Sequence, residues 1–207
     1  MTFQGFDRHD FETFAIEGLD ARMEAIRSRI QPKFRELGER LARELSVMSG
    51  TEMFLHIAQH ARRSVNPPQD TWLAVSANKR GYKMLPHFQV GLFDDHVFVW
   101  LAFIYELPSK SEIAAKFLKQ VKMIRKAVPA GFAVSTDHMQ KTAVPIGEID
   151  LERTLVRFRD VKKAELLIGR QIAAEDPLLQ DGEAFTETVL KTFEVLMPLY
   201  HLAGSSR

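Results

Sequence analysis

The chain has 207 residues, of which 45% are hydrophobic and 27% charged, so it is long enough for one globular domain with a sizeable core. Lysine and arginine number 28 against 27 acidic residues, and this balance excludes a global field that would attract nucleic acid or a membrane surface. Cysteine is absent, which excludes disulfides, thiolate metal sites and cysteine nucleophiles.

The first predicted element is an amphipathic helix that begins near residue 19. Its apolar residues recur at steps of three and four, the spacing of one helical face: Leu19, Met23, Ile26, Ile30, Phe34, Leu37, Leu41 and Leu45. Pro32 lacks an N–H group and predicts a kink or a break into two helices, and the unbroken phase of the apolar positions favours the kink. Gly50 ends this unit. Residues 51–63 predict a second helix, which Thr51 would cap.

Residues 72–105 predict a three-stranded meander, with strands at 72–77, 82–93 and 96–105. The first turn, at residues 78–81, is basic and ends in a glycine, which adopts positive φ at little cost. Asp94 and Asp95 predict a two-residue hairpin loop. The third strand is apolar at odd and even positions alike, which is typical of a central strand covered on both faces.

The rest of the chain predicts helices that alternate with short strands. The expected elements are a helix at 109–128, a hairpin at 131–138 and 141–145, a helix at 150–159, a strand at 164–172 and a last helix ending at Pro198. No internal repeat or long linker divides the chain. The prediction is therefore an α+β fold in a single domain over residues 1–207, with an antiparallel or mixed sheet built on the meander and flanked by amphipathic helices.

The hairpin loop at Asp94 and Asp95 places Phe93 opposite His96 and thereby predicts which side chains share a face. One face, the core face, is apolar: Met84, Pro86, Phe88, Val90, Leu92, Val97, Val99, Leu101 and Phe103. The other, the mixed face, combines polar and aromatic side chains: Trp72, Ala74, Ser76, Lys83, Leu85, His87, Gln89, Gly91, His96, Phe98, Trp100, Ala102 and Ile104. A register shifted by one residue would exchange the two faces.

The mixed face has two interpretations. A rigid sheet that presents aromatic and polar groups together is typical of small-molecule sites. Alternatively, a helix covers this face and hydrogen-bonds its polar groups, as buried polar atoms require. The second interpretation is favoured because the predicted helices are numerous and must pack somewhere.

A local excess of positive charge lies close to the meander. Five basic residues fall within 22 residues that contain a single acidic residue, Asp70; they are Arg62, Arg63, Lys79, Arg80 and Lys83. Arginine can hold a phosphate or carboxylate through two parallel hydrogen bonds, and a neighbouring tryptophan can add stacking. The alternative is a solvated turn together with a basic helix end that complements the helix dipole.

Motifs for catalysis and metal binding are weak. Glu52, His56 and His60 lie four residues apart, but the HExxH arrangement and a fourth ligand are missing, so structural histidines are favoured and no metal site is predicted. Nucleophile elbows, phosphate loops and dinucleotide fingerprints are also missing. The sequence therefore assigns no catalytic residue and no cofactor.

Several long segments resemble the YktB-like family of uncharacterised bacterial proteins. They are GFDRHDFETFAIEGLDARM, HIAQHARRSVNPPQDTW, NKRGYKMLPHFQVGL, HVFVW and LMPLYHL, and the similarity extends over nearly the whole chain. The resemblance implies a single cytoplasmic α+β domain of bacterial origin. It implies no activity, substrate or cofactor and transfers no catalytic residue.

Two functions follow as hypotheses. The first, which is favoured because polar groups converge with aromatic rings, is a small-molecule binder that holds an anionic ligand with Arg62, Arg63, Trp72, Lys79, Arg80, His87 and Trp100. The second is an interaction protein whose basic turn contacts a protein or, less favoured, nucleic acid. Enzymatic activity stays open. Because no apolar run approaches the ~18 residues of a membrane span and the N-terminus is acidic, a cytoplasmic protein without a membrane partner is expected.

Overall fold

A seven-stranded antiparallel sheet forms the centre of the structure, a computed structural model that describes residues 3–204. Its strands are β1 (Phe54–Ile57), β2 (Thr71–Ser76), β3 (His87–Leu92), β4 (His96–Phe103), β5 (Ala133–Ser135), β6 (Val144–Pro145) and β7 (Leu166–Ala173). They lie in the order β1-β2-β3-β4-β7-β5-β6, and each neighbouring pair is antiparallel. The predicted α+β class is confirmed, and the sheet is purely antiparallel.

The helices pack on the core face of this sheet. They are α1 (Arg8–Glu12), α2 (Leu19–Ala25), α3 (Gln31–Ser49), α4 (Lys110–Lys119), α5 (Val121–Ala127), α6 (Leu151–Asp160) and α7 (Gly182–Gly204). The ring of Phe88 in β3 contacts Phe193 of α7, with centroids 4.8 Å apart, and Phe103 in β4 contacts Phe117 of α4 at 5.4 Å. Within residues 3–204, no helix is long and apolar enough to cross a membrane.

The predicted register of the central hairpin is confirmed. The N–H of Phe93 donates to the carbonyl of His96 at 3.0 Å, and Gln89 of β3 lies opposite Trp100 of β4. Trp72 of β2 lies opposite Gly91 of β3, and the alternation of side chains then puts Trp72 on the same face as His87 and Trp100. Within β2, β3 and β4 the mixed face therefore exists as predicted from the two-residue loop. The assignments of residues 83–86 to the two faces are wrong, because these residues precede β3, and Met84, predicted in the core, is exposed.

The predicted helical cover of the mixed face is wrong. Its apolar cluster consists of Phe93, Phe98, Trp100, Ala102, Ile104 and Leu167, with Trp72, Ala133 and Ala143 packed at the edges, and none of these described residues is helical. Two connecting segments cover this face instead: residues 77–86 between β2 and β3, and residues 136–143 between β5 and β6. The described helices α1 to α7 all lie on the core face. The strand side chains on that face form the continuous apolar surface that amphipathic helices need.

The helix predicted for residues 51–63 is also wrong. Helix α3 ends at Ser49 and is capped by Gly50, which adopts a left-handed conformation with φ of +69°. The chain then forms β1, which pairs with β2. The side chain of Leu55 lies against the α3 backbone, where a Cβ at position 38 would come within 2.3 Å of it. Pairing with β2 overrides the helical spacing, so Glu52, His56 and His60 do not share a helix face.

Two prolines are accommodated inside helical structure. A π-helical turn, Ile26–Ile30, connects α2 to α3, so the chain stays helical through Pro32. Pro32 lies in the first turn of α3, where the missing N–H group costs little. The predicted end of the last helix at Pro198 is wrong. Helix α7 continues to Gly204 because Leu199 and Ala203, beyond the proline, are buried in the core.

Two predicted elements are shorter than expected. The helix predicted for 109–128 breaks at Gln120, whose φ of −122° is not helical, into α4 and α5. The second meander strand begins at His87 and not at Tyr82, because residues 82–85 form a turn in which the N–H of Leu85 donates to the carbonyl of Tyr82 at 3.1 Å. This turn brings Tyr82 onto the mixed face.

Candidate functional site

Trp72 connects three segments on the mixed face. Its indole N–H donates to the phenol oxygen of Tyr82 at 3.0 Å. The edge of the indole also meets the ring of His60, with centroids 5.5 Å apart, and the ring of His138 at 6.3 Å. The half-buried Trp72 side chain therefore joins the end of β1, the turn before β3 and the loop between β5 and β6.

His87 is fully buried and both of its ring nitrogens have partners within the protein. Nδ1 lies 2.8 Å from the carbonyl oxygen of Leu85, which can only accept, so Nδ1 carries the proton. Nε2 then accepts from the side-chain amide of Gln89 at 2.9 Å. Burial lowers the pKa of His87 to about 4. This predicted ligand residue is thus a neutral, internally paired histidine at pH 7.

Trp100 lies in the interior of the mixed face and is only 4% exposed. Its indole stacks on the ring of Phe98 at a centroid distance of 6.3 Å and an interplanar angle of 16°. The strand beside it carries Gly169, where a Cβ would stand 1.8 Å from the carbonyl oxygen of Val99. Trp100 therefore packs within the sheet and lies outside the linings of the two cavities around the end of β1.

A cavity of about 550 Å³ lies between the end of β1 and the turn at residues 78–84. Its polar lining consists of His56, Gln59, Asn78, Arg80, Tyr82 and Lys83, and its apolar lining includes Ile57 and Met84. The described lining contains basic residues and no carboxylate. Of the residues predicted to bind a ligand, Arg80 reaches this cavity.

A second cavity of about 500 Å³ lies between α2 and the segment that follows β1. Arg63, His60 and Arg27 line it, but so do the carboxylates of Asp20 and Glu24. Its charge is therefore mixed. Burial lowers the pKa of His60 to about 4, and the nearby charge of Arg63 acts in the same direction.

The predicted site residues are consequently distributed over two neighbouring cavities and the sheet beneath them. Arg80 and Arg63 line different cavities, and Trp72 lies between them through its contacts with Tyr82 and His60. Arg62 and Lys79 are exposed and line neither cavity, whereas His87 is buried behind Tyr82 and Trp100 is buried in the sheet.

Sequence reasoning missed a pair formed by the half-buried His138 and the buried Glu165. The ring Nδ1 of His138 lies 2.7 Å from Oε2 of Glu165, and the His138 backbone N–H donates to the same oxygen at 2.8 Å. Burial opposes ionisation of both groups, but their mutual hydrogen bond and charge hold the pKa of Glu165 below and the pKa of His138 above the usual value. The Tyr105 backbone N–H completes the pair by donating to Oε1 of Glu165 at 3.3 Å.

Sequence reasoning also gave no role to Asp70, which is 2% exposed. Its Oδ2 atom is buried and has no hydrogen-bond partner among the described residues. Burial raises the pKa of Asp70 to about 6, against the opposing charges of His138 and Arg63. The alternation of side chains along a strand could have revealed both residues. Asp70 lies two residues before Trp72 and Glu165 two residues before Leu167, so each points to the mixed face like its neighbour.

Fold and site together define a one-domain α+β protein with an antiparallel sheet, helices on one face and a polar aromatic face covered by connecting segments. The chain belongs to the family described as "Domain of unknown function (DUF1054)", whose sequence profile matches residues 6–200. The predicted resemblance to a family of uncharacterised bacterial proteins is confirmed.

Bacterial relatives align with this chain over nearly its whole length. A UPF0637 protein of Shouchella clausii is 58% identical over 203 residues, which cover 98% of this chain and 96% of the relative. A UPF0637 protein of Oceanobacillus iheyensis is 55% identical, with 98% of each chain covered. A UPF0637 protein of Listeria welshimeri is 51% identical, with 98% of this chain and 99% of the relative covered.

Proposed function

We propose that this protein binds a small phosphate- or carboxylate-bearing ligand in the cavity between the end of β1 and residues 78–84. The observation that carries the proposal is the lining of this cavity of about 550 Å³, which includes Arg80, Lys83 and His56 and no described carboxylate. The volume lies within the range of small-molecule sites. In a chain whose net charge is only +1, this one-sided lining favours an anion.

The backbone around the cavity is held in place by hydrogen bonds. Oδ1 of Asn78 accepts from the backbone N–H of Arg80 at 3.0 Å, and the ring Nε2 of His56 lies 2.9 Å from the Asn78 carbonyl oxygen. The guanidinium of Arg80 itself extends to the exposed surface. An ordered turn that presents an exposed arginine is suited to a two-bond contact with an anion, because little backbone entropy remains to be lost.

Lys83 is a weaker candidate for the same contact. Its amine already pairs with Oε1 of Glu106 at 3.2 Å, which offsets part of its charge. We therefore assign the principal contact to Arg80 and a supporting contact to Lys83.

Tyr82 forms the wall that links the cavity to the mixed face. Its phenol oxygen accepts from Trp72, and its ring packs against His87 with centroids 4.9 Å apart. A ligand that contacts Tyr82 would therefore change the surroundings of the Trp72 indole. His87, which was predicted to contact the ligand directly, supports this wall through its ring contact with Tyr82. Trp100, also predicted as a ligand contact, is buried in the sheet.

The alternative function, an interaction through the basic turn, rests on the exposure of Lys79 and Arg80 at its tip. A nucleic-acid backbone would use both residues without the cavity, and its binding would fall steeply with salt. The sequence prediction of a cytoplasmic location agrees with either partner. The cavity favours the small ligand.

The test is a titration of tryptophan fluorescence with inorganic phosphate, pyrophosphate, citrate and a nucleoside monophosphate. Arg80→Ala loses charge-assisted hydrogen bonds worth about 1.5–3 kcal/mol, which should weaken binding by about 10- to 150-fold. The melting temperature should stay unchanged, because Arg80 is exposed. The matched control is Arg62→Ala, an exposed arginine outside the cavity lining.

Three outcomes would count against the proposal. Unchanged binding of every anion by Arg80→Ala would exclude this cavity, and a loss confined to Arg63→Ala would move the site to the neighbouring cavity. A response only to a mixed-sequence oligonucleotide, abolished at high salt, would favour the interaction function.

A further inference from the structure

We propose that Asp137, His138 and Glu165 form a binding site for a divalent transition-metal ion, separate from the anion cavity and independent of the proposed function. Each residue offers one ligand atom, and these three atoms lie within 4.8 Å of one another. A ring nitrogen combined with carboxylate oxygens suits zinc, manganese or iron, whereas calcium prefers oxygen ligands alone. Metal–ligand bonds of about 2.0–2.2 Å place tetrahedral ligand atoms roughly 3.4 Å apart, so an ion would enter by opening the 2.7 Å contact between Nδ1 of His138 and Oε2 of Glu165.

The sheet brings these residues together by strand pairing. Ser135, the last residue of β5, lies opposite Leu167 of β7, so two residues further on Asp137 comes level with Glu165. The loop is then held by its own hydrogen bonds. The Ser135 hydroxyl donates to the carbonyl of Asp137 at 3.0 Å, and Oδ1 of Asp137 accepts from the backbone N–H of Met139 at 2.9 Å. These hydrogen bonds fix the conformation of the loop that carries Asp137 and His138.

Charged groups surround His138 on several sides. Three carboxylates, those of Asp70, Asp137 and Glu165, act on its imidazole. Two further cations act on these carboxylates, Arg63 on Asp70 and Lys110 on Glu165. A neutral, metal-bound imidazole would leave three carboxylates facing these two cations, and the ion would supply the remaining positive charge.

The independent observation is the unpaired oxygen of Asp70. Its Oδ2 atom is buried without a partner among the described residues, in a side chain that interacts electrostatically with His138. Buried acceptors are normally hydrogen-bonded, and an unpaired one is costly. A metal ion with its water molecules brings positive charge and hydrogen-bond donors into this region. Three protein ligands leave coordination positions for those waters, as in zinc sites that are open to substrate.

The test uses the full chain after removal of metals with a chelator. Zinc and manganese are titrated separately by calorimetry, and bound metal is counted by elemental analysis. One ion per chain is expected, with affinity lowered about tenfold or more in His138→Ala and in Asp137→Asn, which alters an exposed residue and should leave the fold intact. The matched control is His9→Ala, which removes a surface histidine 3.7 Å from the carboxylate of Glu12.

A second readout locates the ion. Manganese is paramagnetic, and the ring of His138 lies 6.3 Å from that of Trp72. Manganese should therefore broaden the indole N–H signal of Trp72 in the wild type and leave this signal sharp in the His138→Ala variant. Binding below one ion per chain, or equal affinity in the folded His138→Ala and Asp137→Asn variants, would overturn the proposal.

Discussion

The indole N–H of Trp72 donates a hydrogen bond to the phenol oxygen of Tyr82 at 3.0 Å. This bond joins β2 to the turn that precedes β3, and the ring of Tyr82 continues the contact to the buried His87. One side-chain pair thus connects the interior of the mixed face to the wall of the proposed anion cavity.

Tyr82→Phe should destabilise the protein by about 1 kcal/mol, because the half-buried indole N–H loses its acceptor while the ring packing is kept. Urea unfolding followed by tryptophan fluorescence measures this change. Tyr105→Phe is the control, since Tyr105 is 43% exposed. Equal stability of the two variants would show that the bond to Trp72 contributes nothing measurable.

The protein should lose stability in mild acid because the buried His87 resists protonation in the folded state. Burial holds its pKa at about 4 in the folded protein, against 6.5 for an unperturbed histidine, so the unfolded chain binds the proton more readily between these values. The stabilising contribution is complete above about pH 6.5 and is lost as the pH falls towards 4, with a total of about 3 kcal/mol.

Unfolding free energies of wild type and His87→Asn at pH 7.5 and pH 4.5 test this. At pH 7.5 the variant should have a lower free energy of unfolding than the wild type, since it loses the hydrogen bonds to Leu85 and Gln89. On acidification its free energy of unfolding should fall by less than that of the wild type. The exposed His9→Ala variant should follow the wild type. An identical acid dependence in His87→Asn would contradict the prediction.

Asp70 should have the opposite pH dependence. Burial raises its pKa from 3.8 to about 6, so the folded state holds this proton more tightly and stability is lost as the pH rises through that interval. Asp70→Asn removes the cost of ionising a buried carboxyl. Its stability relative to the wild type should therefore increase by about 3 kcal/mol between pH 4 and pH 7.5.

The measurement for Asp70 is denaturant unfolding at both pH values with a chelator present, so that the proposed ion plays no part. Asp20→Asn, at an exposed position, is the control and should show little change between the two conditions. A pH-independent difference between Asp70→Asn and the wild type would mean that Asp70 ionises normally.

Lys110, which belongs to neither proposed binding site, should contribute strongly to the stability of the fold. Its amine, in a side chain that is 7% exposed, donates to three backbone carbonyls after α6, those of Val161, Lys162 and Ala164, at 2.5, 2.8 and 3.0 Å. Lys110→Met keeps the aliphatic stem but leaves these carbonyls without the amine. A loss of about 2–4 kcal/mol is expected in urea unfolding.

The control for Lys110 is Lys119→Met, at the exposed end of the same helix, which should change stability by less than about 0.5 kcal/mol. Comparable losses in the two variants would show that the general removal of charge, and not the carbonyl contacts, is responsible.

Local patterns predicted those parts of the fold that depend on neighbours in sequence. The two-residue loop at Asp94 and Asp95 determined the register of β3 and β4, because the side-chain period of a strand leaves no freedom once the loop length is known. Residues 51–63 show the converse. Their helical spacing was overridden by pairing with β2, which no local pattern reports.

The candidate sites depended on contacts between distant positions. Glu165 lies 27 residues from His138, and their hydrogen bond exists only because β5 and β7 pair in one register. Arg63 and Arg80, which the sequence grouped by charge, line different cavities because β1 lies where a helix was expected.

From its own periodicities the sequence determined the α+β class, the hairpin register and the side chains of the mixed face within β2, β3 and β4, since each follows from alternation or loop length within a short segment. Only the tertiary structure decided what covers that face and which polar groups meet on it. The reason is physical: side-chain contacts such as Trp72 with Tyr82 and His138 with Glu165 are set by how whole strands and their connecting segments pack.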